Sequence, residues 1–216
     1  MAKKHKRLMG FIVIPLIFAF LSYILLFTVL SPMMKPVFSI FQLMSSEKGA
    51  DFYSLPESIY SPSSISEGTV SLSQIEFPVY GAHYASIQLP GTDEAEDLYF
   101  GDSNAVLKKG IGQYMGSFLP GYGSPILLSG HNNTYFHNLK NVKEGDVITI
   151  TTSYGVYEYK VTGTAIKTRT DKTAYDLNQQ KEQLILYTCY PFNALGLTSQ
   201  RYFVYADKIS GPEIVD

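Results

Sequence analysis

The sequence predicts a mainly-β domain, a closed barrel or a sandwich, standing behind one N-terminal membrane-spanning helix. Three observations predict it. The last 140 or so residues carry short strand-like runs separated by turn formers, at the spacing of a barrel or sandwich. Helical patterns are scarce among them. At the other end, residues 8–30 form a run of 23 residues without a single charge.

That run is about 34 Å long as a helix, enough to cross a hydrocarbon core of about 30 Å. Before it lie Lys3, Lys4, Lys6 and Arg7. By the positive-inside tendency, residues 1–7 stay cytoplasmic and everything after residue 30 lies outside the cell. The run is longer than the apolar region of a cleaved signal peptide, and no small-x-small cleavage site follows it, which favours an uncleaved signal-anchor. Removing its four cations from the 17 basic residues leaves 13 against 19 acidic ones, so the chain from Leu8 onward carries about −6. Such a balance argues against nucleic acid as a partner.

Residues 31–74 change character. Pro32, Pro36, Pro56 and Pro62, with serines from Ser58 to Ser73, interrupt every long periodicity, so the segment reads as an extracellular stalk or linker, with some helix near 37–44. Residues 75–216 are then one domain of a size that supports a core. Its expected strands are residues 80–89, 98–100, 126–129, 147–151, 156–165, 184–188 and 202–209. The fourth and fifth flank Thr152-Ser-Tyr-Gly155, a hairpin signal. Short helices are expected at 105–109 and 134–138, with a turn near 175–180.

Cys189 is the sole cysteine, so no intramolecular disulfide is available. In an exported chain, where pairing is the norm, a lone thiol suggests one kept for its reactivity. It follows the apolar run Leu184-Ile-Leu-Tyr187 and precedes Pro191, Asn193 and Gly196, which places it at a strand end opening into a loop. A cysteine nucleophile needs a base or a cation to stabilise its thiolate. His5 lies on the cytoplasmic side and His83 falls inside a strand pattern, where a structural histidine is expected. His131 follows Ile126-Leu-Leu-Ser-Gly130 and mirrors the strand-end position of Cys189; His137, in the next short helix, is the alternative base. Arg201 opens the last strand twelve positions after Cys189, from where its guanidinium can return to the thiol if the two strands are neighbours.

Gly130-His131 after one apolar strand, Thr188-Cys189 closing another, and Arg201 opening the last resemble, in that order, the sortases, cysteine transpeptidases of Gram-positive cell surfaces. The resemblance runs from about Ile75 to Ile209. It includes Gly116-Ser-Phe-Leu-Pro-Gly-Tyr-Gly123, Phe136-His-Asn-Leu139 and Lys143-Glu-Gly-Asp146. It implies an eight-stranded barrel and a substrate carrying a Leu-Pro-x-Thr-Gly signal. By that resemblance Cys189 attacks the threonine carbonyl and holds the surface protein as a thioester. His131 protonates the departing glycine amine and later deprotonates the incoming one. Arg201 supports the oxyanion, and Thr188 contributes to the substrate contact. The implied acceptor is an amine of peptidoglycan or its lipid-linked precursor. Thr188-Cys-Tyr-Pro-Phe192 with a short loop to Arg201 looks most like class D. The chain ends at Asp216 without the C-terminal helix usual in class C pilus polymerases, which leaves pilin polymerisation as the alternative.

No cofactor and no metal is expected: Asp93, Glu94, Glu96, Asp97, Asp171 and Asp176 read as solvated loop carboxylates, with no spaced ligand loop. The sequon Asn132-Asn-Thr134 carries no weight beside a proposed catalytic histidine. An L,D-transpeptidase packs its histidine and cysteine into one short motif, whereas 58 positions separate His131 from Cys189, and in papain-like enzymes the cysteine comes first. The reading from another class is a membrane-tethered binding barrel with an incidental, buried thiol. Substrate selection is expected to involve residues 166–183 and 190–200.

Overall fold

The computed structural model describes Val13 and residues 15–28, 58–194 and 198–216. Val13 and residues 15–28 are helical and exposed, with Phe18 and Phe20 among the bare apolar side chains. Among the described residues no helix is long and apolar enough to cross a membrane. The expected cytoplasmic segment 1–7, the remainder of the expected anchor at 8–30 and the stalk through residue 57 lie outside the described residues.

Residues 58–194 and 198–216 fall in one compact unit. Its strands are β1 (Thr69–Ser71), β2 (His83–Gln88), β3 (Glu96–Phe100), β4 (Ile111–Gln113), β5 (Ile126–Ser129), β6 (Val147–Thr152), β7 (Val156–Thr168), β8 (Gln183–Tyr190), β9 (Gln200–Ser210) and β10 (Glu213–Val215). Eight of them close a barrel in the order β2-β3-β4-β5-β8-β9-β7-β6, while β1 and β10 pair in parallel beside it. Among the described residues of this unit, helical structure is confined to single turns, Asn104–Leu107 and the 3-10 turns Leu72–Gln74 and His137–Asn141.

The expected hairpin between β6 and β7 forms because Thr152 organises it. Its hydroxyl accepts from Tyr154 N (3.2 Å) and Gly155 N (2.9 Å), closing the turn by a side-chain route that needs no extra residues. All four residues of β5 are buried, which explains an unbroken Ile-Leu-Leu run where a half-exposed strand would alternate. Ile126 and Leu128 face the barrel interior with Leu184, Leu186 and Val204; Leu127 faces outward beneath Ala174, in a second cluster with Ile185 and Phe203. Burial of one such side chain contributes about 1.5–3 kcal/mol.

Two segments depart from the expectations. β4 is a strand between Lys109 and Tyr114 whose glycines gave it no apolar alternation. A Cβ at Gly110 would lie 2.5 Å from Asp97 O and one at Gly112 2.4 Å from Gly101 O, so neighbouring backbone presses on this strand and only glycine fits. The second concerns residues 58–74. Residues 58–74, read as the end of a stalk, are part of the compact unit: Ile59 N donates to His83 O (3.1 Å), Ser63 N to Thr152 O (3.0 Å), and Val156 N to Ile65 O (2.7 Å). Proline and serine remove helical and strand periodicity without removing the backbone groups that let a chain strap itself to a barrel.

At the end of the barrel where β8 begins, Glu182 is almost fully buried. It accepts from Gly121 N (3.1 Å), Gly123 N (2.9 Å) and Tyr159 OH (2.7 Å), with Lys208 Nζ 3.9 Å away. That network fixes the loop leading into β5 and meets the requirement that a buried carboxylate be bonded and paired.

Candidate active site

At the opposite end of β8 the strands that carry the candidate residues come together. β5 and β8 are parallel neighbours in register from Ile126↔Leu184 to Ser129↔Tyr187. His131 and Cys189 each stand two residues past that last pair, so they leave adjacent strands at the same height. Adjacent strands lie about 4.8 Å apart. β9 runs antiparallel on the other side of β8, and Cys189 is the direct partner of Arg201. Directly opposed residues share a face with their Cβ atoms about 5 Å apart. Three residues scattered over 70 positions of sequence thus occupy one end of three neighbouring strands.

Side-chain alternation sets which way they point. Along β8, Leu184 and Leu186 belong to the interior cluster and Ile185 and Tyr187 to the outer one, which puts Cys189 on the outer face, half-buried. Arg201 shares that face with Phe203 and Tyr205. The face is an aromatic floor: Tyr187 stacks on Phe203 (ring centroids 5.6 Å apart) and Phe203 on Tyr205 (6.0 Å). The β7–β8 connection forms one wall, with Ala174 and Leu177 packed on the floor and Ala174 O accepting from Tyr205 OH at 2.6 Å. Arg169 N donates to Ser199 O (2.9 Å), joining that wall to the β8–β9 connection.

His131 is held by its own loop. Its carbonyl accepts from Phe136 N at 3.0 Å, and Phe136 is fully buried against Gly130. Burial, helped by the positive charge of Lys108, holds the His131 imidazole below the usual histidine range, so the ring is neutral at neutral pH. Lys108 follows the turn Asn104–Leu107, whose end is tied to the same loop by Tyr135 OH donating to Lys108 O (2.9 Å). Arg201 Nη1 donates to Thr198 O (3.0 Å), Thr198 Oγ1 (3.1 Å) and Gln200 O (2.8 Å). These bonds orient the guanidinium through one nitrogen and leave Nη2 and Nε with no acceptor among the described residues.

The other candidates fall elsewhere. His137 is exposed, its Nδ1 3.3 Å from Asn132 O and its Nε2 2.6 Å from Lys140 Nζ, so it is engaged away from Cys189. His83 sits in β2 between Tyr60 and Tyr99, with Ser58 Oγ 2.9 Å from Nδ1, a structural histidine as its strand pattern suggested. Thr188 faces the other way. Expected at the substrate, it is only 2% exposed, shares the interior face with Leu184 and Leu186, and donates its hydroxyl to Gly130 O at 2.7 Å. One residue's difference from Cys189 turns its side chain to the opposite face of the strand. Asn132 was missed as a contributor: it is 7% exposed and donates Nδ2 to Pro191 O (3.1 Å) and Phe192 O (3.3 Å). Its only sequence signal is adjacency to His131.

Among the described residues no three His, Cys, Asp or Glu side chains gather as a metal site. The geometry offers a thiol, a neutral imidazole and a guanidinium at one end of an aromatic cluster, a set suited to nucleophilic acyl transfer.

Known proteins agree with this fold. The Sortase domain model matches residues 87–209. Sortase D of Bacillus subtilis is 32% identical over 133 residues, covering 62% of this chain and 67% of that protein, in line with the class D resemblance. Sortase A from Corynebacterium diphtheriae is 33% identical with a TM-score of 0.53, covering 63% of each chain. A Clostridium perfringens Sortase D5 transpeptidase, 23% identical, shares the fold with a TM-score of 0.55 over 62% of this chain and 82% of its own. With the barrel, its strand order and the family match over most of that barrel in agreement, this chain belongs to the sortase family of transpeptidases.

Proposed function

We propose that this sortase cleaves an LPxTG-like sorting signal between threonine and glycine through a thioester on Cys189 and transfers the surface protein to a peptidoglycan amine. The observation that carries the reading is the direct pairing of Cys189 with Arg201 on β9 while His131 stands at the same height beyond β5. In this mechanism the neutral His131 takes the proton of the Cys189 thiol. The thiolate adds to the threonine carbonyl, and Arg201 donates N–H groups of Nη2 and Nε to the oxyanion. The C–N bond then breaks as the imidazolium gives its proton to the glycine amine. The depressed proton affinity of His131 makes that donation favourable. The acceptor amine, from peptidoglycan or its lipid-linked precursor, attacks the thioester and loses its proton to His131, which regenerates the thiol.

The signal lies beside Cys189 and Arg201 at the end of the aromatic face, and the connections on either side of β8 select its variable positions. Residues 8–30 anchor the enzyme in the cell membrane with residues 1–7 in the cytoplasm and the catalytic domain outside; the exposed apolar side chains of residues 15–28 support that placement. The catalytic domain then begins at residue 58 or before, and the stalk is correspondingly shorter.

The test is a library of Leu-Pro-x-Thr-Gly peptides incubated with the full chain in detergent and an added amine, read by mass spectrometry. Cleavage after threonine, joining to the amine and a transient adduct on Cys189 are expected, all lost in Cys189→Ala. Arg201→Lys keeps the charge but not the fork of donors, and is expected to lower turnover about 100-fold or more. Failure to cleave any member of the library, with Cys189 alkylated only on unfolding, would support a binding barrel with an inert thiol instead.

A further inference from the structure

The regular β5–β8 ladder ends at Ser129↔Tyr187, two residues short of the point where it would fix His131 against Cys189. Past that point side chains connect the two strands. Below the pair, Thr188 donates its hydroxyl to Gly130 O at 2.7 Å. Above it, Asn132 spans the gap through its amide nitrogen, Nδ2 donating to Pro191 O at 3.1 Å and Phe192 O at 3.3 Å. Two carbonyl oxygens on one side of the amide fix which end faces them. Asn132 is 7% exposed, so its own amide has little water to turn to if these bonds are broken. Its own carbonyl is 3.3 Å from His137 Nδ1, which holds the next turn of the same loop.

We infer that Asn132 is a positioning residue for the transfer reaction, fixing the loop that carries His131 to the loop that follows Cys189 so that imidazole and thiol keep a constant separation. The inference rests on the assignment of His131 and Cys189 proposed above. Asn132 does not touch the reacting atoms. It acts because its neighbours on both chains are the reacting residues, and because proton transfer between them depends steeply on their separation. Loosening this link leaves the aromatic floor intact, since Tyr187, Phe203 and Tyr205 are placed by the regular pairing of β8 and β9. The effect therefore falls on turnover rather than on substrate affinity.

The test compares Asn132→Ala and Asn132→Asp in the full chain with wild type and with Glu182→Gln, which perturbs the far end of the barrel. Alanine removes the donors, and aspartate keeps the shape while replacing them with acceptors. Three quantities are measured: kcat and KM for a cleaved Leu-Pro-x-Thr-Gly peptide, the pH dependence of iodoacetamide alkylation of Cys189, the protein's one thiol, and the melting temperature. The expected result is a fall in kcat of about 10- to 100-fold in both variants with KM within about threefold. With it the alkylation profile moves toward higher pH, because a loosened imidazole regains water. Glu182→Gln lowers the melting temperature and leaves kcat and the profile unchanged. Wild-type kcat and profile in the Asn132 variants, or changes matched by Glu182→Gln, would overturn the inference. If Cys189→Ala still cleaves, the assignment of the nucleophile fails and this inference with it; if Cys189→Ala is dead and the Asn132 variants behave as wild type, only the positioning role falls.

Discussion

Gly130→Ala couples a packing clash to the position of His131. Gly130 is not among the glycines with positive φ, so alanine meets no backbone strain there. The obstacle is space: the new Cβ would stand 2.9 Å from Phe136 Cδ2, 3.0 Å from Cγ and 3.3 Å from Cε2. Ordinary contact begins near 3.4 Å, so ring and backbone must separate by 3.4 − 2.9 = 0.5 Å. Phe136 has no free side to move into, being fully buried, and its N–H is bonded to His131 O. The strain of such overpacking is about 1–3 kcal/mol. For a domain of this size that corresponds to a melting temperature lower by roughly 2–12 °C. Since a 1 Å misplacement at a reacting group costs about 100-fold, a shift of half that size passed to His131 lowers kcat about tenfold. Thermal melts and peptide turnover on the variant measure both effects. Phe136→Leu, combined with Gly130→Ala, relieves the clash and is expected to recover part of the lost turnover, with a coupling of about 0.5–3 kcal/mol in the cycle. Turnover within twofold of wild type at an unchanged melting temperature would refute the argument, because it would mean that the ring yields without moving the histidine.

Two further outcomes follow from the same geometry. A fragment beginning at residue 75 lacks the strap and β1, and is expected to melt several degrees below one beginning at residue 58. Loss of the buried Val70 side chain alone removes about 1.5–3 kcal/mol, and equal melting temperatures would show the strap to be dispensable. Lys108→Gln removes the smaller of the two causes that depress His131, so its proton affinity rises while burial keeps it below the ordinary value. Because the folded state binds the proton more weakly than the unfolded one, stability falls as pH drops below about 6.5, and that fall should be shallower in the variant. The acid limb of the turnover profile should move upward in step, as measured by peptide cleavage between pH 5 and 8.

Strands whose burial is two-sided or cleanly alternating were legible from residues alone. Ile126–Ser129 was delimited as a strand from its apolar run, and the β6–β7 hairpin from Thr152 and Gly155. β4 was not, because its fitness for the barrel lies in what it lacks: Gly110 and Gly112 are chosen by backbone atoms of residues 97 and 101, which no local pattern reveals. β1 and β10 are three residues each and are defined only by one another. In the site, the strand-end positions of His131, Cys189 and Arg201 were legible because strand runs and turn formers bracket them. Facing directions were not. Thr188 and Cys189 are adjacent letters of one motif, and only their alternation along β8 separates a residue of the barrel interior from one of the outer face.

The placement of chemistry at a strand end has a physical reason that the two ends of β8 display together. Where β8 begins, Glu182 is surrounded by donors from three segments, and the network serves rigidity alone. Where β8 ends, the ladder to β5 has stopped, and backbone groups that would otherwise bond each other leave room for side chains of different lengths to meet a substrate. A site inside the ladder would have its spacing set by strands about 4.8 Å apart and its faces closed by neighbours. A site on loops alone would have no fixed spacing. Two residues beyond the last rung, His131 and Cys189 inherit the register of the barrel while facing open space, and Thr188 and Asn132 supply the links the backbone no longer does. Substitutions that act on those links should therefore change turnover more than they change stability, whereas those at Glu182 should do the reverse.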